Sequence, residues 1–408
     1  MNLMNPFTAT RDPSDARLVA DVSEVLAVPR HDPADSFVLH APLELVARAA
    51  LLPFVAPDQR DRARAQITAI AVEFEGFGPP VSPPAADGYD SVEAGAAHLL
   101  AAIDRGDLDD VDQSARWLGR AASAAELQTL LSSAVIPRLA AAAHAPIFLF
   151  ELPRIAPRGE VTGELLRGLA RELGRAPEWQ LRWMDDLRPA PAASPTAMFD
   201  AIAATPLGTR DPNASPFIYP VMSEVDEPGI AFEQLGDVVG GPDVQERAQA
   251  VLRGAAWSML LEPDEHAPYG WSHCLTMPQA VLGLTGVVDP NTALAVAATY
   301  VVGFRSALAQ RPLEPVFPFD DPGLPLGEAL DTDAATAAAA VWHLRDPDVA
   351  TVVDELVIRA SVQHDAHLVK YTLACLDAAA SDRSHQRLYL AAAASLVGWW
   401  AHLGHLTG

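Results

Sequence analysis

Lysine is almost missing from this sequence: among the 28 Lys plus Arg residues of a 408-residue chain, Lys370 alone is a lysine. Basic charge is scarce altogether, 28 residues against 53 Asp plus Glu, and the net charge is −25. Phosphate backbones and anionic bilayer surfaces would be repelled rather than neutralised, so neither nucleic acid nor a membrane is an expected partner. Cys274 and Cys375 are the two cysteines, too few for a disulfide framework, and read as reduced core thiols. An export signal needs a basic segment and an apolar core, and the first 22 residues carry Asp12, Asp15 and Asp21 instead, so the expected location is cytoplasmic. The apolar run 390–400 falls short of the roughly 20 residues that span a bilayer. Alternation of β-branched and aromatic residues with polar ones, bounded by hairpin turns, is nearly absent.

What is abundant is alanine at helical spacing, as in 62–72, 94–103, 114–133, 163–173 and 334–342. The expected class is all-α, with half of the residues hydrophobic and therefore ample material for a large core. Proline clusters at 79–84, 189–195 and 312–325 read as surface connections between helical blocks. No segment between them changes class, which predicts one helical domain, 36–408, preceded by a loose N-terminal arm, 1–35.

Four histidines precede or open apolar helical runs. His40-Ala-Pro and His144-Ala-Pro share a motif that suits a helix entry, because proline is tolerated in the first turn. His273-Cys-Leu-Thr-Met-Pro and His367-Leu-Val-Lys are the other two. A lone histidine on an apolar helix is more often a core or capping residue than a ligand. Four in similar settings point to metal, because neutral imidazole is the commonest metal ligand and helix starts can converge on a cavity. His266 repeats the His-Ala-Pro motif and rivals His273; His364 lies one turn before His367 and rivals it. His31, His98, His343, His385, His402 and His405 sit in polar, arm or terminal contexts and read as structural or solvent-facing.

In so Arg-biased a composition, a site that needed only positive charge could have become arginine, so the surviving Lys370 calls for a reason. It follows His367 by three residues, on the same helical face. A desolvated lysine can lose its proton and act as base, nucleophile or carboxylation site, whereas arginine cannot be deprotonated in a protein. The plain alternative is a chance survival that snorkels to the surface.

The segments Val38-Leu-His40-Ala-Pro-Leu, Ala143-His144-Ala-Pro-Ile, His273-x-x-Thr276-x-Pro278-x-Ala280 and His364-Asp-Ala-His367-Leu-Val-Lys370-Tyr resemble the questin oxidase-like proteins. The resemblance covers about residues 36 to 400, and its last segment is the most specific. It implies oxidation or cleavage of aromatic polyketides such as anthraquinones in secondary metabolism. It further implies a non-haem iron held by His40, His144, His273, His367 and a carboxylated Lys370. Imidazole suits iron, zinc and copper, and a carbamate would add an oxygen donor and a negative charge. Five protein ligands leave one octahedral position for dioxygen. The family's earlier label, a Baeyer–Villiger-type oxidation, implies NADPH as a possible cofactor; yet no GxGxxG follows a strand here, and Gly236, Gly240 and Gly241 read as a loop.

Ser272-His273 does not make a hydrolase, since neighbours on a chain point apart and no GxSxG elbow exists. Trp271, two residues before His273 in an expected loop, and Phe148 are candidates for an aromatic wall against a flat substrate, and Gln279 for a hydrogen bond to a quinone or phenol oxygen. The sequence thus predicts an iron-dependent oxygenase that takes dioxygen and a small aromatic substrate. The alternatives are a metal-free, nicotinamide-dependent monooxygenase and a non-catalytic helical small-molecule-binding protein. Substrate identity, metal identity and oligomeric state are not legible in it.

Overall fold

In the computed structural model of the chain, residues 12–30, 32–82, 88–155, 165–186, 194, 196–207, 214–215, 217–241, 243–262, 270–345 and 349–407 are described. Among them the secondary structure is helical throughout, with a lone antiparallel bridge between Arg138 and Gln180 and no sheet. The all-α class follows from two local signals acting together. Alanine-rich apolar stripes supply faces to bury, and short polar residues start the helices by accepting hydrogen bonds from their first backbone N–H groups. Asp12, Asp35, Ser91, Asp107, Ser123, Asp333 and Asp365 all cap in this way.

Capping also explains where the element boundaries depart from the alanine periodicity. The stretch 114–133 is not one helix. It contains the end of Leu108–Ala121 and most of Ala124–Val135, because Ser123 and Glu126 form a reciprocal capping box that restarts the chain. The expected arm is ordered over Pro13–Leu26, where Asp12 caps a helix that buries Val19, Val22 and Leu26. Asp15 on that helix is paired at 2.6 Å with Arg64.

The described helices group into two compact units, Met1–Leu181 with Gly283–Asp289, and Arg182–Leu282 with Pro290–Gly408. In the first, the helix Ser36–Leu51 packs against Pro13–Leu26, Arg60–Glu75 and Ala145–Ile155. A second layer, Val92–Arg105, Leu108–Ala121 and Leu166–Arg175, is pinned by Asp112, which is fully buried and takes Arg167 at 2.5 and 2.9 Å and Arg171 at 3.4 Å. In the second unit, Ala334–His343 lies along Gln386–Thr407. Small residues permit the close approach: a Cβ on Gly398 would collide with the Asp333 carbonyl and the Ala337 methyl. Val244–Leu261, Pro290–Leu308 and Ala366–Ser381 complete this core. The expected connection 312–325 runs without helix and is anchored by Phe317, stacked on Trp342 with ring centroids 4.5 Å apart.

Among the described residues one segment, Phe37–Phe54, is long and apolar enough to cross a membrane, but 83% of it is buried within the fold and it carries the Glu44–Arg48 ion pair. Its burial is that of a core helix.

Candidate metal centre

In the first unit the His40 helix, Ser36–Leu51, starts one turn earlier than the His-Ala-Pro motif suggests. Asp35 accepts from the Val38 N–H at 3.0 Å, so His40 is the fifth helical residue and Pro42 lies inside the helix rather than at its entry. His40, Glu44 and Arg48 follow at intervals of four and share one face. All three are buried, and the Arg48 guanidinium meets Glu44 Oε1 at 2.6 and 2.7 Å.

His144 is delivered differently. The segment before it is clamped by Leu139 N–H to the Trp179 carbonyl at 2.8 Å and Leu181 N–H to the Pro137 carbonyl at 2.8 Å. Ala141, Ala142 and Ala143 then form a left-handed turn, with φ of 55°, 50° and 52°. An alanine in this region costs about 1–2 kcal/mol. Strain of this kind accumulates where the surrounding packing dictates a direction, and here it hands the chain to His144 and the helix Ala145–Ile155. The His40 and His144 rings meet edge to face, with centroids 4.4 Å apart and planes at 86°. Phe148, one turn beyond His144, is fully buried, and the Glu151–Arg154 pair at 2.9 Å is buried beside it on the same helix.

In the second unit the helix Trp271–Gly283 opens on the Gly270 carbonyl, which accepts from His273 N–H at 3.0 Å and Cys274 N–H at 3.2 Å. His273 is its third residue. Trp271, expected in a loop, is instead the first helical residue and fully buried, and its indole N–H has no acceptor among the described residues. The amide nitrogen of Gln279 is engaged by Asp377 at 3.4 Å. His367, second residue of Ala366–Ser381, lies beside His273 with ring centroids 5.2 Å apart. Its rival His364 is exposed and sits against Trp400, whereas His367 is buried. His266 and His31 lie outside the described residues.

Lys370 is buried, with 7% of its surface exposed, one turn beyond His367 on the same helix. It does not snorkel. Burial and the adjacent Lys370 charge push the His367 imidazole down, against the opposing pull of Asp365, so the ring is held towards the neutral form that metals bind. Burial acting alone would raise the Asp365 carboxyl. Hydrogen bonds from His367 and Leu368, with the His367 and Lys370 charges, outweigh it and hold the group below the ordinary carboxylate value.

His40, His144 and His273 are thus buried imidazoles, a donor group that could hold a metal ion. Comparison of the chain with protein families, with curated proteins and with solved structures finds no match. Reading the sequence missed Asp365, Glu44 and Arg48. Each was legible in principle: an Asp directly before a helix start is a capping signal, and Glu44 and Arg48 continue the His40 face at i+4 spacing.

Proposed function

We propose that this protein is a metal-dependent oxygenase in which His40, His144, His273 and His367 bind one iron ion, joined by Lys370 as its carbamate. The observation that carries the reading is the pairing. Each compact unit sets two of the four histidines side by side, all four are buried, and the chain's one lysine is buried one turn beyond His367. Neutral imidazole is the commonest metal ligand, and four buried imidazoles with a lysine have a natural use as a ligand set. The donors fit iron, zinc or copper, and a carbamate oxygen biases the set towards iron.

An ammonium beside the histidines would oppose a bound cation. Burial disfavours that charge, and the neutral Lys370 amine can attack the carbon of carbon dioxide and release a proton, leaving a carbamate with one negative charge in place of the positive one. When bound, iron would supply dioxygen activation. The chain's own side chains do the rest: Trp271 offers a buried indole N–H to a quinone or phenol oxygen, and the apolar helices around the histidines keep bulk water out. The substrate class supported by the sequence resemblance is an aromatic polyketide of the anthraquinone type.

Metal analysis of protein purified without chelator or metal-affinity tag tests the first half. About one equivalent of iron is expected, lost in the His144→Ala and His273→Ala variants. Folded protein that is metal-free and takes up no ferrous ion overturns it. Oxygen uptake on adding hydroxylated anthraquinones to the iron-loaded protein tests the second half, and no uptake or binding across a broad panel removes the substrate class.

A further inference from the structure

Asp365 does two jobs with one carboxylate. Its Oδ1 accepts from the backbone N–H of His367 at 2.8 Å and of Leu368 at 2.9 Å, capping the helix Ala366–Ser381. Its Oδ2 lies 3.4 Å from His367 Nδ1. The Gln363 side-chain oxygen accepts from the Asp365 N–H on the other side, so the residue is held both before and after its own Cα.

These contacts leave the carboxylate little choice of orientation. Two backbone donors require an acceptor at the Oδ1 position, so the group cannot turn without orphaning them. The atom facing the imidazole is therefore always the second oxygen, and an ionised carboxylate only accepts. Nδ1 must carry the ring proton, which leaves the lone pair on Nε2.

We infer that Asp365 is a positioning residue that locks His367 in the Nδ1–H tautomer and presents Nε2 as the metal-binding nitrogen. The inference rests on the metal reading above for its purpose, but not for its geometry. A carboxylate behind a ligating histidine fixes ring orientation and raises donor strength, and loss of such a partner typically weakens metal binding by about 10- to 100-fold.

Asp365→Asn separates this role from capping. The side-chain oxygen is kept at the Oδ1 position by the two backbone donors, so the NH2 group must take the place of Oδ2 and point a donor at Nδ1. The ring then switches to the Nε2–H tautomer, while the helix cap survives. The experiment uses the full metal-free chain labelled with 15N-histidine, with the His367 signals assigned through His367→Gln. Nitrogen shifts and two-bond couplings read the tautomer, and cobaltous ion, followed by its visible absorption, serves as the binding probe.

Expected are Nδ1–H in the wild type, Nε2–H in Asp365→Asn with an unchanged far-UV spectrum, and a cobalt Kd raised about 10- to 100-fold. Asp365→Glu, which keeps a carboxylate, should recover part of the affinity. An Nε2–H ring in the wild type overturns the inference even if the variant fails to fold, as does a variant with wild-type tautomer and affinity. If the wild type shows Nδ1–H, the variant switches and neither binds cobalt or iron, Asp365 keeps its role and the metal reading falls.

Discussion

Single side chains in this molecule can be tested by substitutions that hold one property and change another. Lys370→Arg keeps a positive charge at a buried position beside His367 but removes the amine that can be carboxylated. The expected outcome is loss of bound iron and of oxygen consumption, read by elemental analysis and an oxygen electrode. Full metal content in the variant would show that the lysine is an ordinary charge. Asp382 gives a pH-dependent case without metal. It takes Arg253 at 2.5 and 3.0 Å, Tyr389 at 3.2 Å and Ser384 at 2.9 Å. Burial raises its carboxyl, but the bonds from Arg253 and Ser384 and the Arg253 and His385 charges bring it below its ordinary 3.8. A depressed carboxylate contributes stability that is complete above the unfolded value and disappears as pH falls through the folded one. Asp382→Asn should therefore cost about 3 kcal/mol in urea unfolding at neutral pH, the lower end of what a broken buried pair costs because Arg253 is 22% exposed. The gap between variant and wild type should close as the pH is taken below 3.8.

Among the elements, the left-handed turn Ala141–Ala143 departs furthest from what its sequence invites. Three consecutive alanines inside an alanine-rich stretch read as helix, and local periodicity could not have shown otherwise, because the reversal is imposed by the bridge between 137–139 and 179–181. By contrast the helix starts were legible, since Asp35 and Asp365 sit directly before the runs that bear His40 and His367. The turn gives its own prediction. Glycine at 142 would relieve about 1–2 kcal/mol of left-handed strain. Against that stand a lost buried methyl, about 0.8 kcal/mol, and the larger entropy of glycine in the unfolded chain, about 0.4–1 kcal/mol. Ala142→Gly should thus be neutral to within about 0.8 kcal/mol in urea denaturation. Ala297→Gly, fully buried in the regular helix Pro290–Leu308, should cost about 2 kcal/mol from propensity and lost burial together. Equal costs at the two positions would mean that the turn carries no strain.

At the scale of the whole chain, composition and spacing disclosed the helical class, while the division into two compact units stayed hidden. Its cause is tertiary. The segment Gly283–Asp289 belongs with the first unit although the chain on both sides of it belongs with the second, and Gly283 accommodates the Phe150 ring where any Cβ would collide. Contacts between residues more than a hundred positions apart leave no trace in a period of 3.6. An ion bound only by the native chain stabilises it in proportion to its occupancy. Ferrous ion at 100 times its Kd should therefore stabilise the chain by about 2.7 kcal/mol in anaerobic denaturant unfolding, and a chelator should remove that increment. The decisive comparison sets His144→Ala against His273→Ala. If one ion uses both histidines, either variant alone abolishes nearly the whole increment, and the double variant loses no more. Two independent half-sites would instead give additive losses of roughly half each, and the single-ion reading would then be wrong.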